Sequence, residues 1–414
     1  MKFDYGCIGE TLKHSFSKEI HNSLSDYNYQ LIEIPKSEFE DFCISKEFKA
    51  INVTIPYKEL IIPYLSKIDS TAERIGAVNT VVNRDGKLFG YNTDFYGMKS
   101  LIEHAKVSIK DKKVVILGTG GTSKTAFEVA SSMGAKEILK VSREKKENAI
   151  TYQELYCSHK NAEVIINTTP VGMYPNVFNT PVDLSLFSNL QGVVDVVYNP
   201  LRTPFITAAK KKGIAAEGGL YMLVAQAVRA SEIFIDKKYD TGAVDSIFNS
   251  IYLRKENIVL TGMPASGKST VGAIIAQKLK REFIDTDSLI EKAEGMTIPD
   301  IFKAHGEKYF RDAEQRAIKS IAAESGKVIA TGGGAILRQS NVDALSENGK
   351  LYFIDRPLEK LLPTSDRPLA SDRESIKKRF EERYDIYRNT ADVIINADSD
   401  AQTVSDRILE DFSV

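Results

Sequence analysis

The chain has 414 residues, more than one hydrophobic core usually supports, so two or three globular units of roughly 100 to 200 residues are expected. Its 43% hydrophobic and 27% charged residues are a globular composition rather than a disordered one. A net charge of −1, from 55 basic and 56 acidic residues, offers no global attraction to nucleic acid or an anionic membrane and leaves small molecules as the expected partners.

Cys7, Cys43 and Cys157 are odd in number and lack CxxC spacing. That argues against a disulfide framework or zinc site and for a reducing compartment, the cytoplasm. No targeting signal and no run of about 18 apolar residues is read along the chain.

Residues 1 to about 98 carry the strand signals YGCIGE, YQLIEI, AINVTI and TVVNRDGKLFGYN, the last a hairpin about Asp85-Gly86, and so make a lobe of their own. The continuous apolar run Val114 to Leu117 then predicts a parallel strand buried on both faces. It leads through GTGGTSK into a helix. Glycines at such a turn let backbone approach a pyrophosphate, and the helix N-terminus supplies unpaired N–H donors. The spacing departs from plain GxGxxG, and a structural turn is the other reading. The next strand, Ile138 to Val141, should end beside an adenine ribose and is followed by Ser142-Arg143. A basic residue there accommodates the 2′-phosphate of NADP where an acidic one would select NAD. Glu144, Lys145 and Lys146 follow, so a solvated charge run is the alternative.

The short polar stretch LRKEN, near residues 252 to 256, separates the halves as a tight tether rather than a flexible linker. Beyond it, GMPASGKS (262 to 269) matches GxxxxGK[ST] directly after the strand IVLTG and at the start of a helix. Loop N–H groups would cradle ATP phosphates, Lys268 would reach the β and γ oxygens, and Ser269 would ligate Mg²⁺. The strand REFIDTD then ends in Asp285 and Asp287, which point the same way on an extended chain, one for Mg²⁺ and one for the acceptor hydroxyl.

Six blocks occur in order across nearly all of residues 1 to 250: HSFSKEIHN (14 to 22), NVTIPYKE (52 to 59), GAVNT (76 to 80), NTDFYG (92 to 97), NTTPVGM (167 to 173) and GGLYMLVAQA (218 to 227). This region resembles shikimate dehydrogenase. The resemblance implies that Ser15, Ser17, Thr54, Asn79, Tyr198 and Gln226 hold the substrate and that Lys58 and Asp94 are the catalytic pair. It implies Gly118, Gly120, Gly121, Ser142, Arg143 and Gly219 on the cofactor side, with Asn167 and Thr168 lining the nicotinamide region. Ketone reduction needs a proton donor beside the developing alkoxide, which a lysine near a carboxylate can supply. From composition alone Lys58 reads as a solvated charge and Asp94 as a turn or N-cap residue. His14 reads as orienting backbone rather than shuttling protons.

GEKYFRDAE (306 to 314), TGGGA (331 to 335), RPLAS (367 to 371) and RYDIYRNTADVII (383 to 395) follow in order and resemble shikimate kinase over roughly 256 to 412. That resemblance implies that Asp287, Arg311, Gly333 and Arg383 bind shikimate, Asp287 also accepting the hydroxyl proton. It makes Arg367 the lid arginine and Ser269 and Asp285 the metal ligands. ATP falls on Gly262, Ala265, Ser266, Gly267, Lys268, Ser269 and Thr270. Guanidinium matches a carboxylate bidentately, the alternative for each arginine being a surface ion pair. The lid looks short, and its other arginine, Arg356, lies well before it.

The expected architecture is α/β: a two-lobed dehydrogenase, then a P-loop kinase domain at 256–414 with a parallel sheet flanked by helices. The dehydrogenase has a substrate-binding lobe (1–98, completed by helices in about 222–252) and a Rossmann-type NADP domain (99–221). The implied partners are 3-dehydroshikimate and shikimate, the product of the first half being the substrate of the second, with no nucleic acid or membrane. Oligomeric state and channelling are not legible. A quinate/shikimate dehydrogenase with a small-polyol kinase, or a regulatory fusion that lost its chemistry, are the rivals; the presence of Lys58, Asp94, Lys268, Ser269, Asp287 and Arg311 speaks against the latter.

Overall fold

The computed structural model of the chain describes residues 3–12, 16–362 and 372–413. The chain divides into two compact units, one of Met1–Asn199 and Thr203–Ile251, the other of Pro200–Arg202 and Tyr252–Val414. Among the described residues no helix is long and apolar enough to cross a membrane.

The first unit holds two sheets. Strands β1 (Tyr5–Gly9), β2 (Tyr29–Glu33), β3 (Ala50–Val53), β4 (Lys67–Ile68), β5 (Thr80–Arg84) and β6 (Lys87–Tyr91) run in the order β2-β1-β3-β5-β6-β4. β1 is parallel to β2 and β3, while β5 is antiparallel to β3 and β6. The β5–β6 turn is the expected Asp85-Gly86 pair, at φ 54° and 79°. Positive φ at both central residues matches the right-handed twist of the strands and favours Asp and Gly there.

The second sheet is all parallel: β7 (Lys113–Leu117), β8 (Glu137–Ser142), β9 (Ile150–Thr151), β10 (Val164–Asn167), β11 (Gly192–Asp195) and β12 (Ala215–Glu217), in the order β12-β11-β10-β7-β8-β9. Val114 to Leu117 are fully buried, as a strand covered on both faces must be. Strand order reverses between β7 and β10, which opens a crevice at their carboxyl ends, where such sheets bind ligands. The expected lobe division at residue 98 falls inside the helix Thr93–His104, which packs on the helix Leu220–Ile235. A Cβ on Gly97 would stand 2.6 Å from the Met222 carbonyl oxygen, so glycine permits this close approach. The later helix returns to β3 and β5, with Ala230 and Phe234 in one core with Cys7, Tyr29 and Val82.

The second unit has a parallel sheet of β13 (Asn257–Thr261), β14 (Phe283–Asp285), β15 (Val328–Ala330), β16 (Gly349–Asp355) and β17 (Val393–Asn396), in the order β14-β15-β13-β16-β17. Val271, Ile275, Ile408 and Phe412 share one core with this sheet; Ile318, Ile321, Val342 and Leu345 share another. The expected polar tether is mostly helix. Ala243–Lys255 is helical, leaving Glu256 alone before β13, because Leu253, Arg254 and Lys255 are strong helix formers.

Candidate functional sites

A cleft of about 540 Å³ in the first unit gathers Ser17, Thr54, Lys58, Asn79, Asp94, Tyr198, Gly219 and Gln226. Lys58 comes from the short helix Tyr57–Leu60 after β3, and Asp94 from the first turn of Thr93–His104. The capping role falls to Asn92, whose Oδ1 accepts from Phe95 N at 3.2 Å. Asp94 is thereby left to receive Lys58 Nζ at 2.7 Å, the two side chains 14% and 24% exposed, at a helix N-terminus that favours a carboxylate. Asn79 Oδ1 accepts from Thr93 N at 2.7 Å, and Thr93 Oγ1 reaches Gln226 Oε1 at 3.4 Å, forming a buried polar wall. Burial raises the pKa of the Tyr198 hydroxyl, which keeps it a donor.

Cys7, Asn52, Thr122, Met222 and Leu223 also line the cleft and were not foreseen. Cys7 and Asn52 are register partners on β1 and β3, which sequence spacing does not reveal. Burial pushes the Cys7 thiol up to about 12, so it is an inert wall group.

In the glycine turn after β7, Gly118 has φ 111°, and a Cβ there would lie 2.8 Å from Thr168 Oγ1. Gly120 caps the helix Gly121–Ser132 without a side-chain bond, and a Cβ on Gly120 or Gly121 would meet nothing within 4 Å, leaving the helix N-terminus open. Ser142 is buried at the end of β8, and Arg143 is exposed just beyond it. Lys146, in the charge run, donates to Thr119 Oγ1 of the glycine turn at 2.9 Å. Asn167 departs from its expected role as a cleft wall: its amide is fully buried, Nδ2 donating to Asp195 Oδ1 at 2.9 Å and Oδ1 accepting from Thr169 N at 3.0 Å. Buried amides need such partners, so this side chain holds the turn while Thr168 stays partly exposed. Asp195 also accepts from Val197 N and Thr203 Oγ1, and burial pushes its carboxyl up to about 6. A Cβ on Gly219 would stand 2.1 Å from the Val196 carbonyl oxygen, so only glycine fits there. Ser15, Arg367 and His14 lie outside the described residues.

In the second unit the loop between β13 and the helix Lys268–Leu279 bends through Gly262 (φ 149°), Ala265 (φ 64°) and Gly267 (φ 94°). Ser266 is buried within it; Thr270 is exposed on the helix. Lys268 Nζ donates to the carbonyls of Gly262 and Met263, each at 2.9 Å, and Ser269 Oγ to Asp285 Oδ2 at 2.6 Å. Asp285 and Asp287 are not on one extended chain. Asp285 ends β14 and caps the next helix, its Oδ1 accepting from Asp287 N at 3.0 Å, so Asp287 belongs to the first helical turn. An Asp at a strand end is a strong N-cap, which overrides the extended pattern. Among the described residues no three His, Cys, Asp or Glu side chains form a metal cage. The Ser269–Asp285 pair fits a Mg²⁺ that takes its other ligands from water and phosphates.

Asp287, Arg311, Gly333 and Arg383 share a cavity of about 60 Å³. Gly306, at φ 78° and ψ 175°, breaks the helix Ile298–Ala322 before the turn that carries Arg311. Arg311 is no surface cation: it is 9% exposed and donates to the buried Glu314 at 2.9 Å and to Glu307 at 3.3 Å. Burial raises the Glu314 pKa, opposed by Arg311 and reinforced by Asp287. Arg383 is also buried, donating to the Gly333 carbonyl at 3.1 Å, and burial lowers its pKa. Glu314 and Arg379 line this cavity too, and no role was read for either.

A parallel sheet whose strand order reverses beside a glycine turn, joined to a lysine–carboxylate cleft, defines a dinucleotide-dependent oxidoreductase; the phosphate loop beside an arginine-lined cavity defines a phosphotransferase. Residues 7–81 match the family model "Shikimate dehydrogenase substrate binding domain", and residues 264–413 match "Shikimate kinase". The shikimate dehydrogenase (NADP(+)) of Clostridium beijerinckii is 37% identical over 262 residues, covering 59% of this chain and 96% of its own. The solved shikimate dehydrogenase 1 of Peptoclostridium difficile is similar at 38% identity and a TM-score of 0.55, over 61% of this chain and 98% of its own. The shikimate 5-dehydrogenase of Thermus thermophilus, solved with NADP(H) and shikimate, is 25% identical with a TM-score of 0.54, over 60% of this chain and 99% of its own. The chain belongs to the shikimate dehydrogenase family and carries a shikimate kinase domain behind it; it is an oxidoreductase and a phosphotransferase.

Proposed function

We propose that the first unit reduces 3-dehydroshikimate to shikimate with NADPH and that the second phosphorylates shikimate to shikimate 3-phosphate with ATP and Mg²⁺. The Lys58–Asp94 pair in a cleft of hydroxyl and amide side chains carries this reading. Ser17, Thr54, Asn79, Tyr198 and Gln226, with Ser15, grip the hydroxyls and carboxylate of the acid in the lobe of 1–98 and 222–252. Bound NADPH supplies a hydride to the ketone carbon. Lys58 donates the proton that the resulting alkoxide takes up, and Asp94 holds the ammonium in place.

In residues 99–221, Gly118, Gly120 and Gly121 leave room for the pyrophosphate at the open helix N-terminus. Ser142 and Arg143, with Lys146, face the 2′-phosphate. Thr168 and Gly219 border the nicotinamide, and Asn167 braces their turn through Asp195.

In the second unit, the backbone of Gly262, Ala265, Ser266 and Gly267 cradles phosphates, with Ser269 and Thr270 at the helix start. Lys268 exchanges its loop carbonyls for the β and γ oxygens. Ser269 and Asp285 would hold Mg²⁺, which supplies charge neutralisation at the phosphates. Asp287 takes the hydroxyl proton, Arg311, Gly333 and Arg383 hold the carboxylate, and Arg367 meets the transferring phosphoryl group. The three cysteines are free, two of them buried, which supports a reducing, cytoplasmic setting.

A coupled assay on the purified chain tests this reading. NADPH oxidation with 3-dehydroshikimate, followed by ADP release that appears only after reduction, is the expected result. Activity with NADH and not NADPH, or no ADP release when shikimate is present, overturns it.

A further inference from the structure

Three guanidiniums line the acceptor cavity of the second unit, Arg311, Arg379 and Arg383, and the carboxylate-binding role above uses only the first and the last. Arg379 lies four residues before Arg383 on the helix Arg373–Thr390, so the two project from one face. Its Nε is buried and has no hydrogen-bond partner among the described residues. The Nη1 group donates only to the Ser375 carbonyl, at a long 3.3 Å, and Arg379 makes no ion pair with a carboxylate among the described residues.

A buried N–H of a charged group is costly to leave unmade, so its presence at a cavity wall calls for an acceptor that arrives with the ligand. The charges agree. Arg311 is already answered by Glu314 and Glu307, whereas Arg379 has no carboxylate partner among the described residues, so an incoming monoanion meets a guanidinium still uncompensated. Arg311 and Arg379 both press on Arg383, a like-charge repulsion that a bound carboxylate relieves.

We propose that Arg379 is a third carboxylate-binding arginine of the kinase half, its Nε–H donating to the acceptor's carboxylate beside Arg383, and that it sets the preference for an acidic polyol over a neutral one. This rests on the shikimate kinase reading of the cavity. Losing one charge-assisted hydrogen bond corresponds to about a tenfold change in affinity.

The test uses the full-length protein, Arg379→Gln and Arg379→Lys, with ADP release measured on shikimate and on its neutral carboxamide. For Arg379→Gln the KM for shikimate should rise about tenfold, with kcat and the KM for ATP within about threefold of wild type. The preference for acid over amide in kcat/KM should fall by a similar factor, and Arg379→Lys, which keeps the charge without the Nε donor, should lie between. Should Arg379→Gln fail to fold, the same acid-over-amide comparison in Arg379→Lys decides. A residue that merely supports the helix would depress both acceptors alike, so an unchanged preference overturns the proposal. A wild type that phosphorylates shikimate while both variants match it sinks the role of Arg379 alone; a wild type that never releases ADP with shikimate sinks the kinase reading with it.

Discussion

Among the described residues Lys58 and Asp94 are the two charged side chains on the wall of the first cleft, so in the proposed reduction Lys58 is the cationic proton source for the alkoxide. Lys58→Ala should lower kcat for 3-dehydroshikimate reduction by about 10² or more, the usual scale for losing a general acid. KM should change less, because the polar wall of Asn79, Thr93 and Gln226 survives. Steady-state kinetics at saturating NADPH check this, and near-normal turnover removes Lys58 from the mechanism. At the cofactor end, Arg143→Ala should raise the KM for NADPH far more than that for NADH, since only the former carries a 2′-phosphate. Lys146→Ala should act in the same direction, given its contact with Thr119 of the glycine turn. Wild-type protein using both cofactors equally would refute the assignment.

Among the helices, Gln339–Asn348 carries an unusual burden: Glu347 is 4% exposed, and among the described residues neither carboxylate oxygen has a hydrogen-bond partner. Burial pushes its carboxyl from the ordinary 4.5 up to about 8. Between those values the folded protein holds a proton that the unfolded chain releases, so the stability of the second unit falls as pH rises through the window. Urea unfolding followed in the second unit should therefore show a loss on the order of 2 to 4 kcal/mol between about pH 5 and 8. Glu347→Gln keeps the shape without the charge and should flatten the profile. A wild-type curve that is level or rises over this range would show that Glu347 is not held neutral.

For the whole molecule, two compact units with separate sheets and separate cavities should fail separately. Lys268→Ala removes the ammonium at the phosphate loop and touches nothing in the first unit's cores, so ADP release should collapse while NADP-linked oxidation of shikimate continues. Paired assays on one preparation check this. Loss of both activities in a folded protein would contradict independent sites.

By itself the sequence determined the features whose chemistry is local. The phosphate loop, the glycine turn after β7 and the Asp85-Gly86 hairpin each depend on backbone angles and donors within a few consecutive residues, and each is legible in the order of those residues. Local pattern also misled. REFIDTD reads as one strand until the capping preference of Asp285 turns Asp287 onto a helix, and LRKEN reads as a polar tether although Leu253, Arg254 and Lys255 extend a helix and Asn257 opens β13. Tertiary structure alone decided which distant side chains share a wall. Cys7 meets Asn52 through the register of β1 and β3, and Asn167 meets Asp195 through that of β10 and β11. Arg379 joins Arg311 because two helices far apart in sequence close one cavity. Those meetings arise from packing and strand pairing over tens of residues, which no short stretch of sequence encodes.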